Sequence, residues 1–218
     1  MAGLVITIAQ RKGGAGKTTL AAQLAVTWAQ SGPQVAVLDI DPQGSLAAWV
    51  ELRRARLGAN AIGFDFAALP GWRAAQWIED RARSADLVLI DNPPHAETEA
   101  QIAVRAAGLV LIPVQPSPLD LWATEATFKM ARDERRRPLL VLNRVPPRSG
   151  LTDHIATELA RSGTPVAATR IGNRVALVRA MMSGLGVIES ESASQAAAEI
   201  RAFADEVRRR QNRLTADD

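Results

Sequence analysis

Lys12, Lys17 and Thr18 stand in one glycine-rich run, Arg11-Lys12-Gly13-Gly14-Ala15-Gly16-Lys17-Thr18-Thr19. These residue types at this spacing suit one task, the holding of a phosphate chain. Glycines let backbone N–H groups turn toward an anion, and the start of a helix favours negative charge. Lys17 supplies a mobile positive charge, and the Thr18 hydroxyl is placed to ligate Mg²⁺, which takes few protein ligands because phosphate and water supply the others. Lys12, Gly13, Gly14, Ala15, Gly16, Lys17, Thr18 and Thr19 therefore form the candidate nucleotide cradle. One detail departs from the G-x-x-x-x-G-K-[ST] spacing: Arg11 stands where the first glycine would fall, and a second lysine, Lys12, precedes the paired glycines.

Three further segments offer chemistry. Asp39-Ile40-Asp41-Pro42-Gln43-Gly44-Ser45 ends an apolar run, and alternation along a strand puts Asp39 and Asp41 on one side, toward the cradle. Asp and Ser also favour helix N-caps, so capping stands as the alternative for Asp41 and as the reading for Ser45. Leu89-Ile90-Asp91-Asn92-Pro93-Pro94 is an apolar strand closing on aspartate, the pattern in which a carboxylate reaches Mg²⁺ through water. Thr18 and Asp91 are thus candidates to hold a metal. The two histidines, His95 and His154, lie far apart without an acid–nucleophile pattern and read as surface or loop residues.

The elements that must position these residues alternate along the chain. Strands are expected at 3–9, 34–39, 61–66, 86–91, 108–113, 138–143 and 165–170. Helices are expected near 17–31, 44–58, 72–84, 96–106, 118–135, 151–162, 173–182 and 193–213. Continuous apolar strands such as Val35–Leu38 and Leu87–Ile90 suit a sheet covered on both faces. The expected fold is α/β: one domain over 1–218, a doubly wound, mostly parallel sheet with helices on both faces. The candidate residues all fall at strand carboxyl ends, where such sheets collect their ligands.

The run Lys12–Thr18 resembles the deviant Walker A motif, K-G-G-x-G-K-T, of the ParA/MinD family of ATPases, and the likeness extends from residue 3 to about 210. The resemblance implies ATP and Mg²⁺ as cofactors and slow, partner-stimulated hydrolysis. Lys12 would reach across a dimer interface to the partner's nucleotide, Asp41 would orient or activate the attacking water, and Asp39 would support the Mg²⁺ and Thr18 environment; Lys12, Lys17 and Asp41 make up the catalytic set. Asn92 departs from the D-T-P-P or D-C-P-P pattern of relatives. Asn143 would hydrogen-bond the nucleobase, with a plain turn residue as the alternative. An N-K-x-D guanine reader would want an acid at position 146, where Pro146 stands, which favours ATP. Thr169–Ala176 would border the adenine pocket, and the turn before Trp122 would line the dimer interface, with Trp122 a core or interface anchor.

Composition narrows the alternatives. There are no cysteines, which removes disulfides, Cys-ligated zinc and the iron–sulfur branch of the same superfamily. No apolar stretch approaches the ~20 residues of a membrane span, and no signal peptide opens the chain, so a cytoplasmic protein is expected, and the resemblance implies that it associates with the nucleoid. No helix-turn-helix arm precedes Leu4, which places the likeness with the short ParA branch. Net charge is only +3, but arginines cluster: Arg132, Arg135, Arg136 and Arg137 at the end of one expected helix, Arg201, Arg208, Arg209, Arg210 and Arg213 on the last. Polyanions are suitable partners, although a single arginine is more often solvated surface charge. The resemblance then implies an ATP-driven homodimer that binds non-specific double-stranded DNA. Arg174, Arg179, Arg201, Arg208, Arg209 and Arg210 are the candidate contacts, and a ParB-like or cargo adaptor would trigger release. The alternative is a MinD-like switch on a membrane surface, using Ile200, Phe203, Val207 and Leu214 as a lipid-facing stripe. A ligase of the dethiobiotin synthetase type shares the fold, but Lys12 and the D-P-Q-G-S segment argue against it.

Overall fold

The computed structural model describes residues 3–58, 61–94, 97–147 and 150–214; His95, residues 215–218 and the side chains of Glu97 and of 211–214, including Arg213 and Leu214, lie outside the described residues. Six strands form one sheet: β1 (Leu4–Ile8), β2 (Val35–Asp39), β3 (Asp65–Ala68), β4 (Leu87–Asp91), β5 (Leu109–Val114) and β6 (Arg137–Leu142). Their order is β3-β2-β4-β1-β5-β6, and every neighbouring pair is parallel. The helices are α1 (Lys17–Gln30), α2 (Ser45–Leu57), α3 (Gly71–Ser84), α4 (Glu97–Ala106), α5 (Pro118–Asp133), α6 (Gly150–Arg161), α7 (Val175–Met182), α8 (Val187–Ser190) and α9 (Gln195–Leu214).

Alternate residues of each central strand feed two separate cores. Ile6, Ile8, Val37, Leu89 and Leu111 pack against α1, α2, α7, α8 and α9. Val5, Leu38, Val88, Ile90, Val110 and Ile112 pack against α3, α4, α5 and α6. This double cover is why the central strands read as unbroken apolar runs. Helix α1 is buried nearly all round, so it shows no amphipathic stripe. The apolar face of α9 is spent on this core: Ile200, Phe203, Ala204 and Val207 are buried, and the Trp28 indole donates to the Ala204 carbonyl at 3.3 Å.

The structure departs from the expected elements in four places. Residues 165–170 form no strand; Val166 makes an isolated bridge to Leu140, the Ala167 N–H reaches the Leu140 carbonyl at 2.8 Å, and the N–H groups of Ala168 and Thr169 are captured by the Glu206 carboxylate at 2.8 and 2.9 Å. Strand β3 begins at Asp65 rather than 61, because Gly63 turns the chain at φ +89° and Ile62 and Phe64 drop into the core. Helix α5 stops at Asp133, so Arg135 (φ +54°) and Arg136 occupy a turn and Arg137 opens β6. The four-residue α8 was not anticipated from the sequence; it starts where the Gly186 N–H meets the Glu189 carboxylate at 2.7 Å.

Candidate functional site

The glycine run leaves β1 at the carboxyl edge of the sheet, between β4 and β5, and enters α1 at Lys17. Gly14 (φ +77°) and Gly16 (φ +91°) turn it in the left-handed region that side chains disfavour. Its carbonyls are tied outward. Asn143 Nδ2 donates to the Ala15 carbonyl at 2.8 Å, and Gln115 Nε2 donates to the Gly14 carbonyl at 3.4 Å. Gln10 accepts from the Lys12 N–H and donates to the Pro113 carbonyl, each at 3.3 Å. No side chain caps α1, and a Cβ built on Gly13 or Gly14 would meet nothing within 4 Å. The loop is therefore an open cradle beside an uncapped helix start, the arrangement that receives an anion.

Beneath it, two carboxylates lie in one row. Strand register sets Asp39 opposite Asp91, and parallel strands place such partners on the same face. Asp91 is fully buried, and among the described residues neither carboxylate oxygen has a partner within hydrogen-bond geometry, the Thr18 hydroxyl being near enough to act on its charge. Burial pushes its pKa up to about 7, the charges of Asp39 and Asp41 push the same way, and the nearby Thr18 hydroxyl and Lys17 oppose them. Lys17 is itself buried, which lowers its pKa against the pull of Asp91 and Asp41. Asp39, raised by burial, accepts from Asp41 N at 3.0 Å and from Ala47 N at 2.9 Å. It thus caps α2 from the strand end. Capping had been assigned to Ser45 and left open for Asp41, but Ser45 is already inside the helix, and Asp41 closes a turn by accepting from Gln43 N at 2.9 Å.

Two orphaned carboxylate oxygens beside a hydroxyl and a lysine fit a hydrated divalent cation, which needs few direct protein ligands. They also carry a stability consequence. Between 3.8 and about 7 the folded chain keeps the Asp91 proton while the unfolded chain has lost it, so stability falls as pH rises through that window. Asp91→Asn removes this term. In urea melts without nucleotide or Mg²⁺, the variant gains on wild type by about 1.4 kcal/mol per pH unit across the window and levels off above it. A gap that does not change with pH contradicts the buried proton.

Lys12 sits on the exposed rim of the cradle, with its side chain 40% accessible, and its Nζ pairs with Asp120 Oδ1 at 2.8 Å. Asp120 is buried in the first turn of α5 and also takes the hydroxyl of Ser117, the helix N-cap. Sequence reading passed over Asp120, although Ser117-Pro118-Leu119-Asp120 carries the Ser-x-x-acid spacing of a capped helix start. Gln10 and Gln115 were passed over too, since a glutamine at a strand end has no distinguishing pattern. Leu119 and Trp122, 68% and 72% exposed on α5, flank Asp120, so Trp122 is not a core anchor.

A cavity of about 240 Å³ adjoins the cradle, lined by Gly16, Thr19, Asn143, Asn173, Met181 and, alone of the candidate DNA contacts, Arg174. It brings Gly172, Asn173 and Arg174 beside the loop. Asn143 touches both, and its amide hydrogen bond goes to the loop backbone. Asn92 is buried and donates to the Ile8 carbonyl at 3.1 Å and to the Thr7 hydroxyl, so it ties β4 to β1. The candidate DNA contacts do not gather at this site. Arg174 pairs with Glu199 at 2.6 Å, Arg179 with Glu191 at 2.9 Å and Arg210 with Glu206 at 3.0 Å; Arg201 donates to the Ser192 carbonyl at 2.8 Å. Arg208 and Arg209 are exposed on α9.

Residues 6–187 match the family described as the CobQ/CobB/MinD/ParA nucleotide binding domain. The chain is 32% identical to maintenance of carboxysome distribution protein A of Halothiobacillus neapolitanus, over 89% of this chain and 91% of that one. It is 29% identical to the chromosome-partitioning ATPase Soj of Thermus thermophilus, over 93% and 94%. Its fold is similar to that of the cell division ATPase MinD of Pyrococcus furiosus, with a TM-score of 0.79 at 21% identity, covering 95% of this chain and 99% of that one. A match over that span, on a parallel sheet that carries the glycine loop at its carboxyl edge, makes the chain a member of the CobQ/CobB/MinD/ParA family, to which the ParA and MinD ATPases belong.

Proposed function

We propose that the chain is a partition or positioning ATPase that dimerises on ATP and binds non-specific double-stranded DNA as the ATP dimer. Hydrolysis, stimulated by a ParB-like or cargo adaptor protein, releases it. The observation that supports this reading is Lys12: a second lysine on the accessible rim of the cradle, near exposed Leu119 and Trp122, would serve a nucleotide on another chain. The backbone of residues 13–19 would grip the phosphates of ATP, and Lys17 would neutralise them from below. Thr18 and Asp91, with Asp39 bracing the row, would hold Mg²⁺, which neutralises phosphate charge when bound. Asp41, with one oxygen engaged by Gln43 N, would orient the attacking water with the other. The cavity beside Asn143 would take the adenine, with Asn143 setting the loop's shape.

Hydrolysis tied to dimer state makes ATP a switch ligand. A DNA face centred on Arg208 and Arg209, doubled by the dimer, would add phosphate contacts and salt dependence. The relative named for carboxysome distribution supports a cytoplasmic body as cargo, beside plasmid or chromosome DNA and chemoreceptor clusters. The burial of Ile200, Phe203 and Val207 speaks against α9 as a lipid-facing helix. Among the described residues no helix is long and apolar enough to cross a membrane.

Binding to non-specific duplex DNA should appear with ATP and not with ADP or without nucleotide, and it should weaken steeply with salt. Dimerisation on ATP with no DNA binding in any state overturns the DNA-riding reading, and anionic vesicles become the next surface to test.

A further inference from the structure

At the opposite edge of the sheet from the nucleotide cradle, the amino ends of β5 and β6 open onto a cavity of about 670 Å³. Four arginines line it: Arg136 and Arg137 from the turn into β6, Arg209 and Arg210 from α9. Among the described residues Glu206 is the one carboxylate in the lining, and it is engaged by the Ala168 and Thr169 N–H groups and by Arg210. Glu134, close enough to feel the charge of Arg136, is held by Arg105 at 3.0 Å and by Gln101 at 2.7 Å. The Nε of Arg136 is buried and makes no hydrogen bond among the described residues. Arg137 and Arg209 are exposed and form no ion pair with any described residue. Like charges gathered this closely repel one another unless an anion is placed between them.

The floor is of another character. Pro138, Pro165 and Ala168 give it accessible apolar surface, backed by the buried Leu109 and Leu139. The volume lies in the range of small-molecule sites, ~300–1,000 Å³, and the planar forks of arginine match phosphate and carboxylate oxygens. A duplex backbone is convex and would use the rim without the floor.

We propose that this cavity binds a small organic phosphate: a compact dianion or polyanion joined to an apolar or aromatic body. The anion lies among Arg136, Arg137 and Arg209, and the body lies on Pro138, Pro165 and Ala168. The site is remote from the cradle and does not rest on the DNA-riding reading.

The test uses the full chain saturated with Mg-ADP, so that the cradle is filled, and 2-naphthyl phosphate as the probe, followed by its fluorescence and by calorimetry. Saturable binding of one equivalent is expected, with 2-naphthol and inorganic phosphate each weaker by about tenfold or more because each offers half of the match. Arg137→Glu should weaken the probe by about tenfold or more with ADP binding unchanged. Arg137 is exposed, so this variant keeps its fold; Arg136→Gln is the second variant and should act in the same direction. Absence of saturable binding overturns the proposal, as does binding that both variants leave intact. Loss of duplex DNA binding in Arg137→Glu, with no probe binding to wild type, also overturns it and assigns the arginines to a nucleic-acid face.

Discussion

Lys12→Ala is expected to lower ATP hydrolysis by about 10³-fold or more while nucleotide still binds to the cradle, the scale set by cationic groups that a partner chain inserts at a transferring phosphate. The reason lies in where Lys12 is. Lys17 is buried beneath the loop, beside Asp91 and Asp41, whereas Lys12 is on the rim and paired with Asp120 of its own chain. A rim lysine that swings off Asp120 can serve either its own nucleotide or one on a facing copy. Mixing decides between them. In a dimer of Lys12→Ala with Asp41→Ala, the site on the first protomer keeps its own Asp41 and borrows Lys12 from the second. Random mixing should then restore about a quarter of the wild-type sites, because about half of the dimers are mixed and each carries one intact site. A dead mixture means that Lys12 acts within its own chain.

The second large effect is on stability. Arg53→Ala is expected to cost about 3–5 kcal/mol, the range for breaking a buried ion pair by removing one partner. Arg53 lies on α2 with its side chain 4% exposed and forms a two-pronged pair with Glu189 of α8 at 2.7 and 2.8 Å. Its remaining N–H groups reach the Ile62 carbonyl at 2.9 Å and the Gly184 carbonyl at 3.3 Å, and its guanidinium lies 5.7 Å from the Trp49 ring and 6.0 Å from that of Phe64. Burial raises the pKa of Glu189, but the hydrogen bonds from Arg53 and Gly186 outweigh it and hold the carboxylate low. Without Arg53 that charge and two carbonyls lose their partner together. Urea melts measure the loss. The double variant Arg53→Met with Glu189→Leu should recover most of it, since no charge is then left buried. Equal losses in the single and double variants would locate the effect in packing.

What the sequence made legible was what local pattern encodes. The glycine run, the apolar strands that end on Asp39 and Asp91, and the strand–helix alternation all announce themselves within ten residues, because double cover demands unbroken apolar strands. Edge positions were harder to read: β3 lies at the rim of the sheet, and a positive-φ glycine moved its start. Least legible were the groups whose meaning comes from a distant partner. Arg53 is one arginine among many on a charged helix until Glu189 arrives 136 residues later. Glu206 turns 165–170 away from the sheet from 37 and 38 residues further along. Asp120 gives no sign of its lysine, and a helical stripe cannot tell whether its apolar side meets lipid or Trp28.

The strand order has a consequence for how the protein comes into being. Strand β1 is made first, yet its neighbours are β4 and β5, and the amide that steadies the glycine loop belongs to Asn143, 128 residues beyond the carbonyl it holds. A growing chain on the ribosome therefore carries its phosphate-binding residues from the outset without the means to shape them. Parallel sheets of this kind form slowly because the distant partners must meet first. Through most of its synthesis the glycine loop lacks the amide that holds it, and the cradle takes its shape only when the sheet is nearly whole.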